Sequence, residues 1–306
     1  MLNYPNFIII GAMKCATSTL HEQLALQPGI LMSELKEPNF FSDDDQYAKG
    51  INWYTSHFHQ ASDGQLRGES STHYTKLPTY PNTIPRIQQH IPDAKFIYVM
   101  RHPIDRLVSQ YVHEWSQGIV AVEIDEAIGK HQELIAYSQY AQQLTPYFEA
   151  FGSDRILPVF FERMLSAPQS ELERICRFLG YQAHPVWDFD LEAQNVSTER
   201  IRKCRWRDAI AEAPGLRTIR RKFVPKGMRT WVRSFWSMKE RPTLGTTQTK
   251  ELKSIFDEDL RTMGSWLGLE LTCDNFKSVV RQQIPVWGQG TAIQAELRLN
   301  LAHEHQ

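Results

Sequence analysis

The sequence predicts an α/β domain whose mostly parallel sheet carries helices on both faces. Three observations predict it. Residues 7–10 form a short apolar β-favouring run that stops at Gly11. Residues 95–100, Lys-Phe-Ile-Tyr-Val-Met, read as a buried strand broken by Arg101-His102-Pro103. Helical segments alternate with these runs, and such alternation implies parallel strands joined by covering helices.

Each element has its own reason. Residues 17–27 read as a helix with Leu20 and Leu24 inward, stopped by Pro28-Gly29. Residues 65–70 are a weaker strand, and 81–90 a helix with proline at its start. A helix over 104–115 follows the 95–100 strand, and two more fit 124–136 and 139–151. Residues 155–161 read as a strand, 169–179 as an amphipathic helix closed by Gly180, and 247–267 as a final helix.

With 306 residues, 42% of them hydrophobic, the chain can fill one large core. A charged fraction of 23% argues against wholesale disorder. A single domain over 1–306 is expected, with a peripheral stretch from 284 to 306. The net charge of −1 hides a polarised chain. Between 200 and 241, 14 basic residues face three acidic ones, so that segment is +11 and the rest −12. This basic, helical insertion is interleaved with aromatics such as Trp206, Phe223 and Trp231. It reads either as helices packed on the main domain or as a docking surface for an anionic acceptor or an acidic membrane face. Nucleic acid is not an expected partner.

The four cysteines are far apart and form no Cys-x-x-Cys pair, which suits reduced thiols. No apolar run is long enough to span a bilayer, and the first residues lack the pattern of a secretory leader. A cytoplasmic location is the expectation that follows.

In open parallel sheets, ligands sit at the carboxyl ends of the strands. Gly11 and Arg101 both follow strands directly. After Gly11 comes Ala12-Met13-Lys14-Cys15-Ala16-Thr17-Ser18, between strand and helix. Amides at a helix N-terminus attract anions, a lysine adds a full charge, and two hydroxyls can donate to phosphate oxygens. An ordinary turn that contains a lysine is the other reading. The segment is P-loop-like but departs from G-x-x-x-x-G-K-[ST], because its second glycine is absent. The 95–100 strand runs into a cation rather than a magnesium-binding aspartate. No metal is therefore expected, and a P-loop kinase is disfavoured. At the second strand end, Arg101 and Ser109, about two helical turns apart, could grip one further phosphate.

Together these two blocks resemble PAPS-dependent sulfotransferases, in the branch that includes the heparan sulfate enzymes and their bacterial relatives. PAPS is 3′-phosphoadenosine 5′-phosphosulfate, and its product is PAP. The resemblance covers roughly residues 6–179, with a familiar helix near 244–268. It implies that Lys14, Ala16, Thr17 and Ser18 meet the 5′ side of the nucleotide, and Arg101 and Ser109 its 3′-phosphate. It also implies that Glu37, in Lys36-Glu37-Pro38-Asn39-Phe40-Phe41, is the base, with Lys14 stabilising the leaving phosphate. Lys36 is an additional candidate cation, and His73 the rival base. The implied reaction moves a sulfuryl group from PAPS to a hydroxyl, less readily an amine, of a sugar, glycolipid or small metabolite. A non-catalytic nucleotide-binding scaffold is the remaining alternative. One departure stands out. Glycan enzymes often carry Glu-Lys-[ST]-Pro-x-Tyr, whereas Glu69-Ser70-Ser71-Thr72-His73-Tyr74 puts serine in the lysine place and threonine in the proline place.

Overall fold

A computed structural model describes residues 3–191 and 241–288. Most of the basic segment, up to residue 240, and the end of the chain from 289 lie outside the described residues.

Five strands form one sheet in the order β2-β3-β1-β4-β5, and every pairing is parallel. In chain order, β1 (Phe7–Gly11) leads into α1 (Thr17–Ala25), and β2 (Ile30–Met32) forms one edge. Two short helices, α2 (Asp44–Tyr47) and α3 (Ile51–Ser56), precede β3 (Leu66–Ser70). A 3₁₀ turn at Thr72–Thr75 then leads to α4 (Thr83–His90), β4 (Lys95–Met100) and α5 (Pro103–Gln117). Next come α6 (Ile124–Lys130), α7 (Glu133–Ala136), α8 (Tyr140–Phe151) and β5 (Ile156–Phe160). Helices α9 (Phe161–Ser166), α10 (Pro168–Leu179), α11 (Thr246–Leu267) and α12 (Phe276–Gln282) complete the described residues.

The central strands explain their own sequences. Phe7, Ile8, Ile9 and Ile10 are 0% exposed, as are Phe96, Ile97, Tyr98, Val99 and Met100. Buried on both faces, such strands need apolar side chains at every position rather than at alternate ones. Helix α5 starts with Pro103 in its first turn, where proline's missing N–H costs nothing. Helix α10 ends at Gly180, whose φ of 84° is the left-handed cap that glycine adopts without strain. Two amides in the first turn of α8 draw on a distant carboxylate. Asp259 of α11 accepts from Ala141 N and Gln142 N, each at 3.1 Å.

Three differences from the sequence expectation have local causes. The helix expected over 124–136 breaks into α6 and α7, because His131 leaves helical geometry with φ −121° and ψ 81°. Strand β2 is only three residues long, too short for any pattern to be read from sequence. At 284–288, where a peripheral stretch is expected to begin, Trp287 is anchored. Its Nε1 donates to Ile156 O at 2.6 Å and its ring meets Phe148 edge-on at 5.0 Å.

Two predictions come from this packing. A Cβ added at Gly68 of β3 would stand 2.1 Å from the ring of its neighbour Phe7. Gly68→Ala should therefore lower unfolding free energy by about 1–3 kcal/mol in urea titration. Burial pushes the Asp259 carboxyl up to about 6, from an ordinary value of 3.8. The folded chain then holds this proton more tightly than the unfolded one, so the Asp259 contribution to stability falls as pH rises from 3.8 to about 6. Asp259→Asn cannot ionise. Its stability relative to the parent should improve by on the order of 2–3 kcal/mol between pH 4 and pH 7 in paired urea titrations.

Candidate active site

The carboxyl ends of β1, β3 and β4 lie side by side, so the loops after Gly11, Ser70 and Met100 share one edge of the sheet. Helix α1 begins there without a side-chain cap and without an acidic residue in its first turn. Its leading amides, and their share of the helix dipole, are open to an anion. The loop before it is held in an unusual shape: Lys14 and Ala16 have φ of 72° and 64°. Glu37 and Asn39, at 57° and 51°, are the other left-handed non-glycine residues among the described residues. Each such residue costs on the order of 1–3 kcal/mol. All four lie in the two loops that carry Lys14 and Glu37.

Contacts join the separate sequence blocks. Arg101 Nη1 donates to Lys14 O at 3.4 Å, and the guanidinium lies 4.6 Å from the centre of the Phe161 ring. Arg101 Nε is buried and makes no hydrogen bond among the described residues. Tyr140 clamps the backbone here: its hydroxyl donates to Arg101 O at 2.6 Å and accepts from Arg101 N at 3.2 Å. Ser109 lies on α5 and is 5% exposed. Thr17 is buried at the start of α1, and Ser18 is half-buried beside it. The Lys36 ammonium donates to Ser18 Oγ and stands 3.9 Å from Glu37 Oε1. Glu37 also accepts from Thr72 Oγ1 at 3.4 Å, and its amide donates to Ser70 O at 3.0 Å.

The rival base sits differently. His73 stacks on Tyr80 with ring centres 4.8 Å apart, and its Nδ1 is buried without a partner among the described residues. Burial, helped by the nearby Lys76 ammonium, lowers its pKa to about 4, which makes it a poor proton acceptor. The Cys15 thiol, inside the loop, is pushed up to about 12 by burial, so it stays protonated and unreactive.

Several residues here were not singled out from sequence. Burial lowers the Lys76 ammonium to about 8, against the pull of the Glu37 and Glu114 carboxylates. It lies 5.8 Å from the Tyr137 ring centre. Arg106, fully buried, donates to Ser138 Oγ, to Gln110 Oε1 and to Leu134 O. Glu69 accepts hydrogen bonds from three hydroxyls. A strand-terminal glutamate followed by serines and a tyrosine is the only sequence signal for that cluster. Among the described residues no group of three or more His, Cys, Asp or Glu is placed to hold a metal ion.

Comparisons with known proteins point to sulfotransferases. The model of the sulfotransferase family matches residues 42–185, a stretch that holds Arg101 and Ser109 but begins after Glu37. Human heparan sulfate glucosamine 3-O-sulfotransferase 6 is 31% identical over 185 residues, 58% of this chain and 52% of that protein. The membrane-associated sulfotransferase kil1 of Dictyostelium discoideum is 39% identical over 114 residues, 36% of this chain and 23% of that protein. The chain thus spans about half the length of the heparan sulfate enzymes it matches. A sulfotransferase from Alicyclobacillus acidocaldarius has the same fold, with a TM-score of 0.63 over 88% of this chain and 97% of that one, at 23% identity.

These relatives overturn the expected cytoplasmic location, since they are heparan sulfate enzymes and a membrane-associated protein. That expectation rested on absent leaders, spans and cysteine pairs, and such absences do not identify a compartment. No described helix is long and apolar enough to cross a membrane. In sequence and in fold the chain resembles the sulfotransferase family, on the branch of the heparan sulfate enzymes and their bacterial relatives.

Proposed function

We propose that the chain transfers a sulfuryl group from PAPS to a hydroxyl, with a glycan as the acceptor class that its relatives favour. One observation carries this reading: the three separate blocks are in contact. Arg101 touches the Lys14 backbone, and Lys36 spans Ser18 and Glu37. A nucleotide with phosphates at both its 5′ and 3′ ends suits two cationic grips joined in this way.

In the proposed reaction the acceptor oxygen attacks sulfur as the bond from sulfur to the 5′-phosphate oxygen breaks. Glu37 takes the acceptor proton, and the negative charge released on PAP develops beside Lys14 and the α1 amides. Thr17 and Ser18 donate to the 5′ side, and the Ala16 amide opens the same cradle. Arg101 and Ser109 hold the 3′-phosphate, for which the unpartnered Arg101 Nε is a free donor among the described residues. Lys36 serves both sides, since it bonds Ser18 and faces Glu37. Lys76 brings a cation toward Glu37 although Ser70 occupies the lysine place of the glycan enzymes. An acidic sugar next to the reacting hydroxyl would meet that charge.

Two measurements test the reading. In EDTA, calorimetry should show PAP binding that is tighter than ATP binding, and Arg101→Ala should remove most of the difference. Charged hydrogen bonds of this kind are worth about 1.5–3 kcal/mol. Equal affinity for ATP and PAP would count against the donor assignment. Glu37→Gln keeps the shape and removes the base. Transfer of labelled sulfate from PAPS, screened over sugars, glycolipids and phenols, should fall about 100-fold or more in that variant while PAP affinity holds. Full activity of Glu37→Gln alongside a dead His73→Asn would move the base to His73.

A further inference from the structure

We propose that Glu69 is the positioning residue for Glu37, acting through the hydroxyls of Ser71 and Tyr74. The proposal rests on the reading of Glu37 as the base.

Glu69 is 0% exposed, in register with Ile8 near the carboxyl end of β3. Its Oε1 accepts from Tyr54 OH at 2.8 Å and Tyr74 OH at 2.9 Å, and its Oε2 accepts from Ser71 Oγ at 2.7 Å. Two of these hydroxyls look outward as well. Ser71 Oγ accepts from Asn39 N at 3.1 Å, and Tyr74 OH accepts from Phe41 N at 3.3 Å.

Proton accounting sets the direction of the whole cluster. An amide can only donate, so Ser71 and Tyr74 must receive there with a lone pair. Each hydroxyl has one proton, which must then go elsewhere. An ionised carboxylate only accepts, so it takes all three hydroxyl protons without conflict. A neutral amide side chain in its place would present an NH₂ group to at least one hydroxyl. That hydroxyl could no longer donate to residue 69, and its proton would have to turn toward another acceptor, loosening its hold on the loop.

The loop held in this way is the one that carries Glu37. The amides of Glu37, Asn39 and Phe41 bond in turn to Ser70 O, Ser71 Oγ and Tyr74 OH. Pro38 has no amide to offer. Glu37 and Asn39 are both left-handed, so the segment would relax if those bonds were lost. The aromatic anchors rest on the same cluster. Phe40 stacks on Tyr54 with ring centres 4.7 Å apart, and Phe41 meets Tyr54 at 4.9 Å and Tyr74 at 5.8 Å. A base displaced by even about 1 Å can lose on the order of 100-fold in rate.

The test cuts each relay and leaves Glu69 in place. Ser71→Ala and Tyr74→Phe are made in the full-length parent and in Glu37→Gln. Release of PAP from PAPS is followed with a heparan sulfate oligosaccharide, or with water alone, as the acceptor. Each substitution should lower kcat by about 10-fold or more in the parent, with KM for PAPS and Kd for PAP changed less than about twofold. Ser71→Thr, which keeps the hydroxyl, should restore kcat. In the Glu37→Gln background the same substitutions should change kcat by less than about twofold, because the coupling is then already gone. Unchanged PAP affinity also reports that each variant is folded. Parent-like kcat in Ser71→Ala and Tyr74→Phe, with Glu37→Gln inactive, would overturn this proposal alone. Equal losses in the two backgrounds would do the same, since they would mark a general structural role. Parent-like turnover in Glu37→Gln would remove the base assignment and this proposal with it.

Discussion

The parallel direction of the sheet is the constraint on which the site depends. Because β1, β3 and β4 run the same way side by side, their carboxyl ends release three loops at one edge. Residues more than eighty positions apart then meet through short contacts, as Arg101 and Lys14 do. Strands buried on both faces can neither slip nor tilt without opening the core, so that edge is a rigid platform. The loops can therefore hold costly backbone shapes that a free chain would abandon.

The distribution of strain supports this view. Four left-handed non-glycine residues among the described residues fall in two loops, and both loops face the candidate site. Such conformations persist only where neighbouring bonds over-determine them. Around Glu37 the neighbours are visible: a carbonyl of β3, two hydroxyls and two phenylalanines, of which Phe40 stacks on Tyr54. The Glu69 carboxylate beneath them is itself unfavourably placed, since burial raises it to about 7 despite three hydroxyl donors. Replacing it and its partners with apolar side chains would relieve that burial cost. The cluster gives the loop one defined shape instead.

Much of this was legible in the sequence. Strands β1 and β4 announced themselves because central parallel strands are apolar throughout, and glycine or an arginine-proline break marked their ends. Helix α10 was marked by its amphipathic pattern over 169–179 and by Gly180 at its end. The phosphate-loop block and the Arg101 block were visible as residue types in order, but their contact was not, because no local pattern encodes a distance across the sheet. Lys76 was missed for the same reason: its neighbours Glu37, Glu114 and Tyr137 come from three other segments. Nothing in the Glu69–Tyr74 stretch of the sequence marks a role for Glu69. Hydroxyl relays leave almost no trace in sequence, since serine and tyrosine occur for many other reasons. The division of 124–136 into two helices turned on the backbone of His131, which propensity does not determine.

The cysteines carry a further lesson about environment. Cys15, Cys176 and Cys273 are free and buried, and burial raises all three thiols well above their ordinary value, the first two to about 12. A thiol that stays protonated and out of reach neither attacks a disulfide nor yields readily to oxidants. The fold thus shields these three sulfurs in the way that glutathione would shield exposed ones. Unpaired cysteines of this kind are compatible with an oxidising lumen as well as with a reducing cytosol. Their lack of pairing is a property of the core and carries no address.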